Sequence, residues 1–114
     1  MEGSYKNALK QMISFLEKLE EKKYLKYYLV GGILANLYSD FRITLDIDVV
    51  IDLNLNNINL SEYINLMKKN DFNPIQDWNS TLILAKESKI IQILDKNETI
   101  KFDLHIIDKY SVKN

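Results

Sequence analysis

The chain has 114 residues, 46% of them hydrophobic, which is enough for one domain with a single modest core and excludes an intrinsically disordered protein. Its net charge of −1 offers no general field to attract nucleic acid, and the absence of cysteine excludes disulfides and thiolate chemistry. Because no stretch approaches the roughly 18 apolar residues of a membrane span and the amino terminus lacks the apolar run of a signal peptide, we expect a cytoplasmic protein with no membrane partner.

Residues 5–24 are predicted to form an amphipathic helix, because apolar residues recur at alternating steps of four and three positions. We expect this helix to pack on the sheet of its own chain, with pairing to a second copy of the chain as the alternative. The apolar stripe consists of Tyr5, Leu9, Met12, Leu16 and Leu19.

Residues 27–38 are predicted to form a short strand followed by a short helix. The strand, residues 27–30, is a β-rich run that ends at two glycines, Gly31 and Gly32. Residues 33–38 then have the composition of a helix of one to two turns. Paired glycines at such a junction let the backbone approach a ligand closely, although a tight turn alone also explains them.

Residues 45–53 give the clearest strand pattern in the sequence. Leucine, isoleucine and valine at every second position predict one face that packs on a core. The opposite face carries three aspartates, of which we expect Asp52 to be in solvent. Asp46 and Asp48 would lie about 6.5–7 Å apart at Cα, close enough to converge on a divalent cation. An ordinary solvated strand face is the simpler alternative.

The rest of the chain is predicted to contain one helix and three strands. Asn59 and Glu62 fit a capping box that opens a helix ending near Asn70. Residues 72–77 are expected to be irregular, because Pro74 is unfavourable in a helix and in a central strand. An antiparallel meander is expected at residues 81–86, 90–94 and 99–107.

Together these elements predict an α+β fold, a single domain over residues 1–114 with a mixed sheet and helices packed mainly on one face. The last strand would place Asp103 on its polar face, beside His105. A third carboxylate from a neighbouring strand would complete a metal site or act as a general base. A lone histidine is more typical of a protein surface, and Trp78 is better explained by packing than by stacking on a nucleobase.

The order of these residues resembles the signature of the polymerase-beta-like nucleotidyltransferase superfamily. That signature has a Gly-Gly or Gly-Ser pair after a strand, then Asp-x-Asp or Asp-x-Glu, then a third acid on a later strand. Here LVGGILANLYSDFRITLDIDVVID contains the first two parts and KFDLHII the third. The sequence is most similar to the branch with Arg-x-Thr before Asp-Ile-Asp, which includes abortive-infection-type toxins. The resemblance covers residues 27–107.

The resemblance implies a metal-dependent enzyme that transfers a nucleoside monophosphate from a nucleoside triphosphate such as ATP to a hydroxyl group. The acceptor would be RNA, a protein or a small molecule. The residues implied as nucleotide-binding are Gly31, Gly32, Arg42 and Thr44. The residues implied as catalytic and as ligands of Mg²⁺ or Mn²⁺ are Asp46, Asp48 and Asp103.

Two features depart from the family pattern. Residues 39–41 stand where many relatives have a glycine-containing turn, and relatives usually continue with a helical segment that helps to hold nucleotide and acceptor. We therefore expect a minimal core, a fragment, or a chain that works as a homodimer or with a separate helical partner protein. The alternative functions are a non-catalytic nucleotide-binding or regulatory module, such as a toxin–antitoxin component, and an interaction domain whose acids are merely solvated.

Overall fold

In the computed structural model, residues 2–30 and 46–112 are described, and within these ranges the chain forms four helices and five strands. The helices are α1 (Glu2–Glu21), α2 (Leu60–Lys69), α3 (Trp78–Ser88) and α4 (Lys109–Val112). The strands are β1 (Leu25–Leu29), β2 (Asp46–Leu53), β3 (Asn73–Pro74), β4 (Ile90–Leu94) and β5 (Lys101–Ile107). The predicted features outside the described residues are the short helix at 33–38 and Gly31, Gly32, Arg42 and Thr44.

The five strands form one mixed sheet in the order β1-β2-β5-β4-β3. Strands β2 and β5 are parallel, whereas the other neighbouring pairs are antiparallel. The parallel pair sets Asp48 beside Asp103 and Asp46 beside Lys101, so the amino-terminal ends of both strands meet at one edge of the sheet. The predicted α+β class with a mixed sheet is confirmed.

One face of the sheet packs against α1, α2 and α3. The alternating apolar residues of β2, from Ile47 to Leu53, are buried as predicted. Each large apolar side chain buried in this way contributes about 1.5–3 kcal/mol, which makes the core the main source of stability. The helices and the other two central strands add to the same core Met12, Leu16, Tyr63, Met67, Ala85, Ile91, Ile93, Phe102 and Leu104.

Helices α1 and α2 confirm the predicted helical patterns with small shifts at their ends. Helix α1 ends at Glu21, and Lys23 then adopts a φ of 64°, in the left-handed region, as the chain turns into β1. Helix α2 begins with the predicted capping box: the side chain of Asn59 accepts the N–H of Glu62 at 2.8 Å, and the Glu62 carboxylate accepts the N–H of Asn59 at 3.0 Å. Caps of this kind contribute about 1 kcal/mol.

The predicted strand at residues 81–86 is wrong, because this stretch lies within helix α3. Asp77 caps the helix by accepting the N–H of Ser80 at 2.7 Å, and Thr81 and Ala85, four positions apart, are buried on one side of it. Trp78 packs against the core from the first turn of α3. Of the predicted three-strand meander, only the antiparallel pair β4–β5 is present. Strand β4 has the predicted bounds, and β5 begins at residue 101 instead of the predicted 99.

Two further expectations need correction. Residues 72–77 are not wholly irregular, because Pro74 lies in the two-residue strand β3 at the edge of the sheet, where proline removes no ladder hydrogen bond. Asp52 is only 5% exposed rather than in solvent. Its carboxylate accepts the N–H of Tyr110 at 2.8 Å, so the short helix α4 covers it.

Candidate functional site

Asp48 and Asp103 are direct neighbours on the face of the sheet opposite the core. They are register partners in the parallel pair β2–β5, whose backbones are expected to lie about 4.7–4.9 Å apart. Asp46 precedes Asp48 by two residues and therefore shares this face. The fold thus brings the three predicted acids together at one end of one sheet face.

Lys101 and His105 of β5 contact these acids. The Lys101 Nζ atom lies 3.3 Å from Oδ1 of Asp103 and 4.0 Å from Oδ2 of Asp46. The Nε2 atom of His105 lies 3.1 Å from Oδ1 of Asp48. Each of the three carboxylates therefore lies next to a nitrogen-bearing side chain of the same strand, β5.

Asp103 is the most enclosed of the three acids. Its side chain is 14% exposed, against 47% for Asp46 and 40% for Asp48. Its Oδ1 atom also accepts a hydrogen bond from Nε2 of Gln92 at 3.2 Å, since Gln92 stands opposite it in β4. Lys101 and Gln92 both contact Oδ1 of Asp103 and so restrict the orientation of its carboxylate.

The donor chemistry of this site suits a hard divalent cation, because carboxylate oxygens are the ligands that Mg²⁺ and Mn²⁺ prefer. Among the residues that the structure describes, however, no three carboxylate, imidazole or thiolate side chains form a group that could hold a metal ion. The Lys101 ammonium group lies between Asp46 and Asp103 instead. The acids therefore fit a shared cation by type and by register, provided that this ammonium group moves away.

The predicted nucleotide-binding residues lie outside the described residues, but the residues that flank positions 31–45, Val30 and Asp46, are described. Val30 donates its backbone N–H to the carbonyl oxygen of Asp48 at 3.2 Å. Because β1 is antiparallel to β2, it ends at the edge of the sheet where β2 begins. Both residues that flank the segment, Val30 and Asp46, therefore lie at the acidic end of the sheet.

Sequence reasoning did not assign a role to Lys101, His105 or Gln92. Alternation along β5 already places Lys101 and His105 on the face of Asp103, which was the available signal. Their contacts with Asp46 and Asp48 depend on the pairing of β5 with β2, and no local pattern specifies that pairing.

Two cavities lie away from the three acids, in the parts of the chain that are described. One of about 530 Å³ lies between α1, the end of α2 and the β4–β5 turn. Gln11 spans it, because its side chain donates to the carbonyl oxygen of Asn70 and accepts the N–H of Lys96. The other, of about 580 Å³, is lined by Lys23, Asn54, Asn56, Asn57 and Tyr110.

No family model, curated protein or solved structure matches this chain. The resemblance to nucleotidyltransferases therefore rests on the quoted motifs alone and stays a prediction. Among the described residues, no helix combines the length and the apolar character that a membrane crossing needs.

Proposed function

We propose that this chain is the core of a metal-dependent nucleotidyltransferase that transfers a nucleoside monophosphate from a nucleoside triphosphate to a hydroxyl acceptor. The supporting observation is the register of β2 and β5, which sets Asp48 beside Asp103 and leaves Asp46 on the same face. The quoted motifs require two acids on one strand and a third on a later strand, and here the later strand, β5, pairs with the first. The hydrogen bond from Val30 to Asp48 adds support, because Val30 is the residue that precedes Gly31 in the sequence.

In this proposal the three acids divide the work. Asp46 and Asp48 are the more exposed and would hold Mg²⁺ or Mn²⁺, with Asp103 as the third ligand. When bound, such an ion supplies charge neutralisation at the attacking and leaving oxygens of a phosphoryl transfer. Asp103 would also accept the proton of the acceptor hydroxyl as its oxygen attacks the α-phosphorus and the bond to pyrophosphate breaks.

The protein would contribute positioning rather than covalent chemistry. Gly31 and Gly32 would approach the triphosphate through their backbone N–H groups, since glycine has no Cβ to obstruct the ligand. Arg42 and Thr44 would lie at the edge of the nucleotide site, where a guanidinium group can bind a phosphate through two parallel hydrogen bonds. The acceptor would be RNA, a protein hydroxyl or a small molecule.

A nucleotide-binding module without catalytic activity, such as a regulatory or toxin–antitoxin component, is the second candidate. One observation favours it: among the described residues the acids contact Lys101 and His105 and form no three-ligand group. A site whose acids stay paired with these side chains can bind a nucleotide without assembling a catalytic metal centre. This candidate predicts nucleotide binding without release of pyrophosphate.

An interaction domain with merely solvated acids is the weakest of the three candidates. It predicts carboxylates scattered over more than about 8 Å, because a metal–ligand bond is only about 2 Å. Asp46 and Asp103 share one ammonium group at 4.0 and 3.3 Å, so these two carboxylate oxygens cannot be farther apart than the sum of those distances.

The test is isothermal titration calorimetry with ATP, GTP, CTP and UTP in the presence of Mg²⁺ or Mn²⁺. Metal-dependent binding should disappear in an Asp46→Ala/Asp48→Ala variant. It should persist in a Glu21→Ala/Glu87→Ala variant, which removes two exposed carboxylates from helices instead. Absence of nucleotide binding by the unmodified protein would overturn the proposal, and binding without pyrophosphate release in an acceptor screen would support the second candidate.

A further inference from the structure

Lys101 is placed among the acids by the sheet itself. It is the register partner of Asp46 across the parallel strands and precedes Asp103 by two residues, so it shares the acidic face with both. Its side chain is 27% exposed, which shows that most of the flexible stem is covered while the ammonium group reaches the two carboxylates.

The ammonium group contacts the two carboxylates, at 3.3 and 4.0 Å, that a cation shared by Asp46 and Asp103 would bind. A unit positive charge beside a divalent ion opposes its binding, and the effect is largest within about 4 Å. Occupation by Lys101 and occupation by a metal ion therefore exclude each other at these two carboxylates.

We propose that Lys101 is an internal counter-ion that competes with the divalent cation at this site. The ammonium group offsets part of the negative charge of Asp46 and Asp103 in the metal-free protein and leaves when a cation binds between them. The competition keeps the affinity for free cations low, so that the ion binds together with a nucleotide whose phosphates supply further ligands. This inference rests on the proposed function, because it takes the acids to be the cation site.

The first test is a titration of Mn²⁺ alone into the unmodified protein and into a Lys101→Met variant. Methionine keeps much of the length of the side chain and removes the charge, so the variant should bind Mn²⁺ about tenfold more tightly or better. Lys101→Arg keeps the charge and should bind as weakly as the unmodified protein. Lys86→Met, on the exposed side of α3, should also leave the affinity unchanged.

Thermal unfolding provides a second readout that a merely structural lysine would not produce. Without metal, Lys101→Met removes the ammonium charge beside the carboxylates of Asp46 and Asp103, so its Tm should fall below that of the unmodified protein. Added Mn²⁺ should then raise the Tm of the variant more than that of the unmodified protein, because at a given Mn²⁺ concentration c the stabilisation, RT ln(1 + c/Kd), is larger for the tighter binder.

A third readout uses the unmodified protein and therefore does not depend on the folding of any variant. The ¹³Cε signal of Lys101, assigned by its absence in Lys101→Arg, should shift when Mg²⁺ and ATP are added. An unshifted Lys101 signal at saturating Mg²⁺ and ATP would overturn the inference.

The calorimetric outcomes separate this inference from the proposed function. Equal Mn²⁺ affinity of Lys101→Met and the unmodified protein, together with metal-dependent nucleotide binding, would overturn the inference and leave the function standing. Tighter Mn²⁺ binding by Lys101→Met without any nucleotide binding would support the inference and sink the proposed function. If neither protein binds Mn²⁺, with or without nucleotide, both fail.

Discussion

The imidazole of His105 lies against the carboxylate of Asp48, with 3.1 Å between Nε2 and Oδ1, across the parallel strands β2 and β5. In the tautomer that carries the hydrogen on Nε2, the ring donates this hydrogen bond to the carboxylate. It uses one carboxylate oxygen and orients the group. Outer partners of this kind position the acids that bind metal ions, so His105 is a positioning residue for Asp48 in the proposed site.

Replacing His105 should therefore weaken metal-dependent nucleotide binding. We expect His105→Leu to lower the affinity for nucleotide and metal roughly tenfold. This is the low end of the effects seen for residues that orient a metal ligand, because the His105 and Asp48 side chains are about half exposed. His105→Gln, which can still donate a hydrogen bond, should lose less. Calorimetry with Mn²⁺ and ATP measures both variants, and equal affinities for His105→Leu and the unmodified protein would remove the role assigned to this contact.

Tyr63 offers a prediction for the core. Its ring is fully buried and stacks on Phe15 with 6.0 Å between the ring centroids, but its hydroxyl group has no hydrogen-bond partner among the described residues. Burial also raises the pKa of this phenol well above its usual value, so the group stays neutral. An unpaired buried hydroxyl costs roughly 1–3 kcal/mol, and Tyr63→Phe should raise the free energy of unfolding by about 1 kcal/mol.

Urea unfolding measures that change. Tyr27→Phe is the matched control, because the Tyr27 hydroxyl is partly exposed and donates to Glu17 at 3.4 Å, so its loss should not stabilise the protein. A stability gain in the control as large as that of Tyr63→Phe would mean that the unpaired hydroxyl is not the cause.

The acids of the candidate site show how far local pattern predicts a site. Period-two alternation is enough to put Asp46 and Asp48 on one face of β2 and Asp103 on one face of β5. That β2 and β5 are parallel neighbours depends on how the helices between them pack, which is a property of the whole core. The alternation therefore identified the acids but could not identify their contacts with Lys101 and His105.

Two of the three corrected expectations, the strand at residues 81–86 and the solvated Asp52, have the same origin: packing by residues that are distant in the sequence. Residues 81–86 contain a short apolar run, and such runs do not distinguish a strand from a helix. The Asp77 cap and the burial of Ala85 decide for the helix, and burial of Ala85 comes from packing beyond the run itself. Asp52 follows the alternation of β2 but is covered by α4, whose Tyr110 N–H it accepts.

The Asp77 cap makes stability depend on pH. Hydrogen bonds from the backbone and side chain of Ser80 lower the pKa of the Asp77 carboxyl below its usual 3.8. A lowered pKa means that the stabilisation is fully present above the unfolded-state value and is lost as the pH falls through the folded-state value. As the pH falls from about 5 to about 2, the Tm of Asp77→Asn should therefore decrease less than the Tm of the unmodified protein, because an asparagine side chain caps the helix but does not titrate.

Thermal unfolding across this pH range tests the expectation, with Glu87→Gln as a control that removes an exposed carboxyl from the same helix. The control should keep the pH dependence of the unmodified protein. Identical Tm profiles for Asp77→Asn and the unmodified protein would show that this cap does not contribute to acid sensitivity.

Asp95 links stability to the candidate site, because it fixes the turn from which β5 starts. The side chain is 1% exposed and accepts the N–H groups of Thr99 and Ile100 at 2.7 and 2.8 Å and the hydroxyl of Thr99 at 3.0 Å. Asp95→Ala leaves these donors without their acceptor. Hydrogen bonds to a charged group contribute about 1.5–3 kcal/mol, so we expect a loss of roughly 3 kcal/mol in the free energy of unfolding.

The same variant should weaken metal-dependent nucleotide binding, although Asp95 lies outside the acidic site. Strand β5 begins at Lys101, directly after this turn, and carries both Lys101 and Asp103. Asp95→Asn keeps one acceptor oxygen and should fall between Asp95→Ala and the unmodified protein in both measurements. Urea unfolding and calorimetry on the same preparations test this link. It would be contradicted if Asp95→Ala lost stability but, under conditions in which it is still folded, bound nucleotide and metal with the affinity of the unmodified protein.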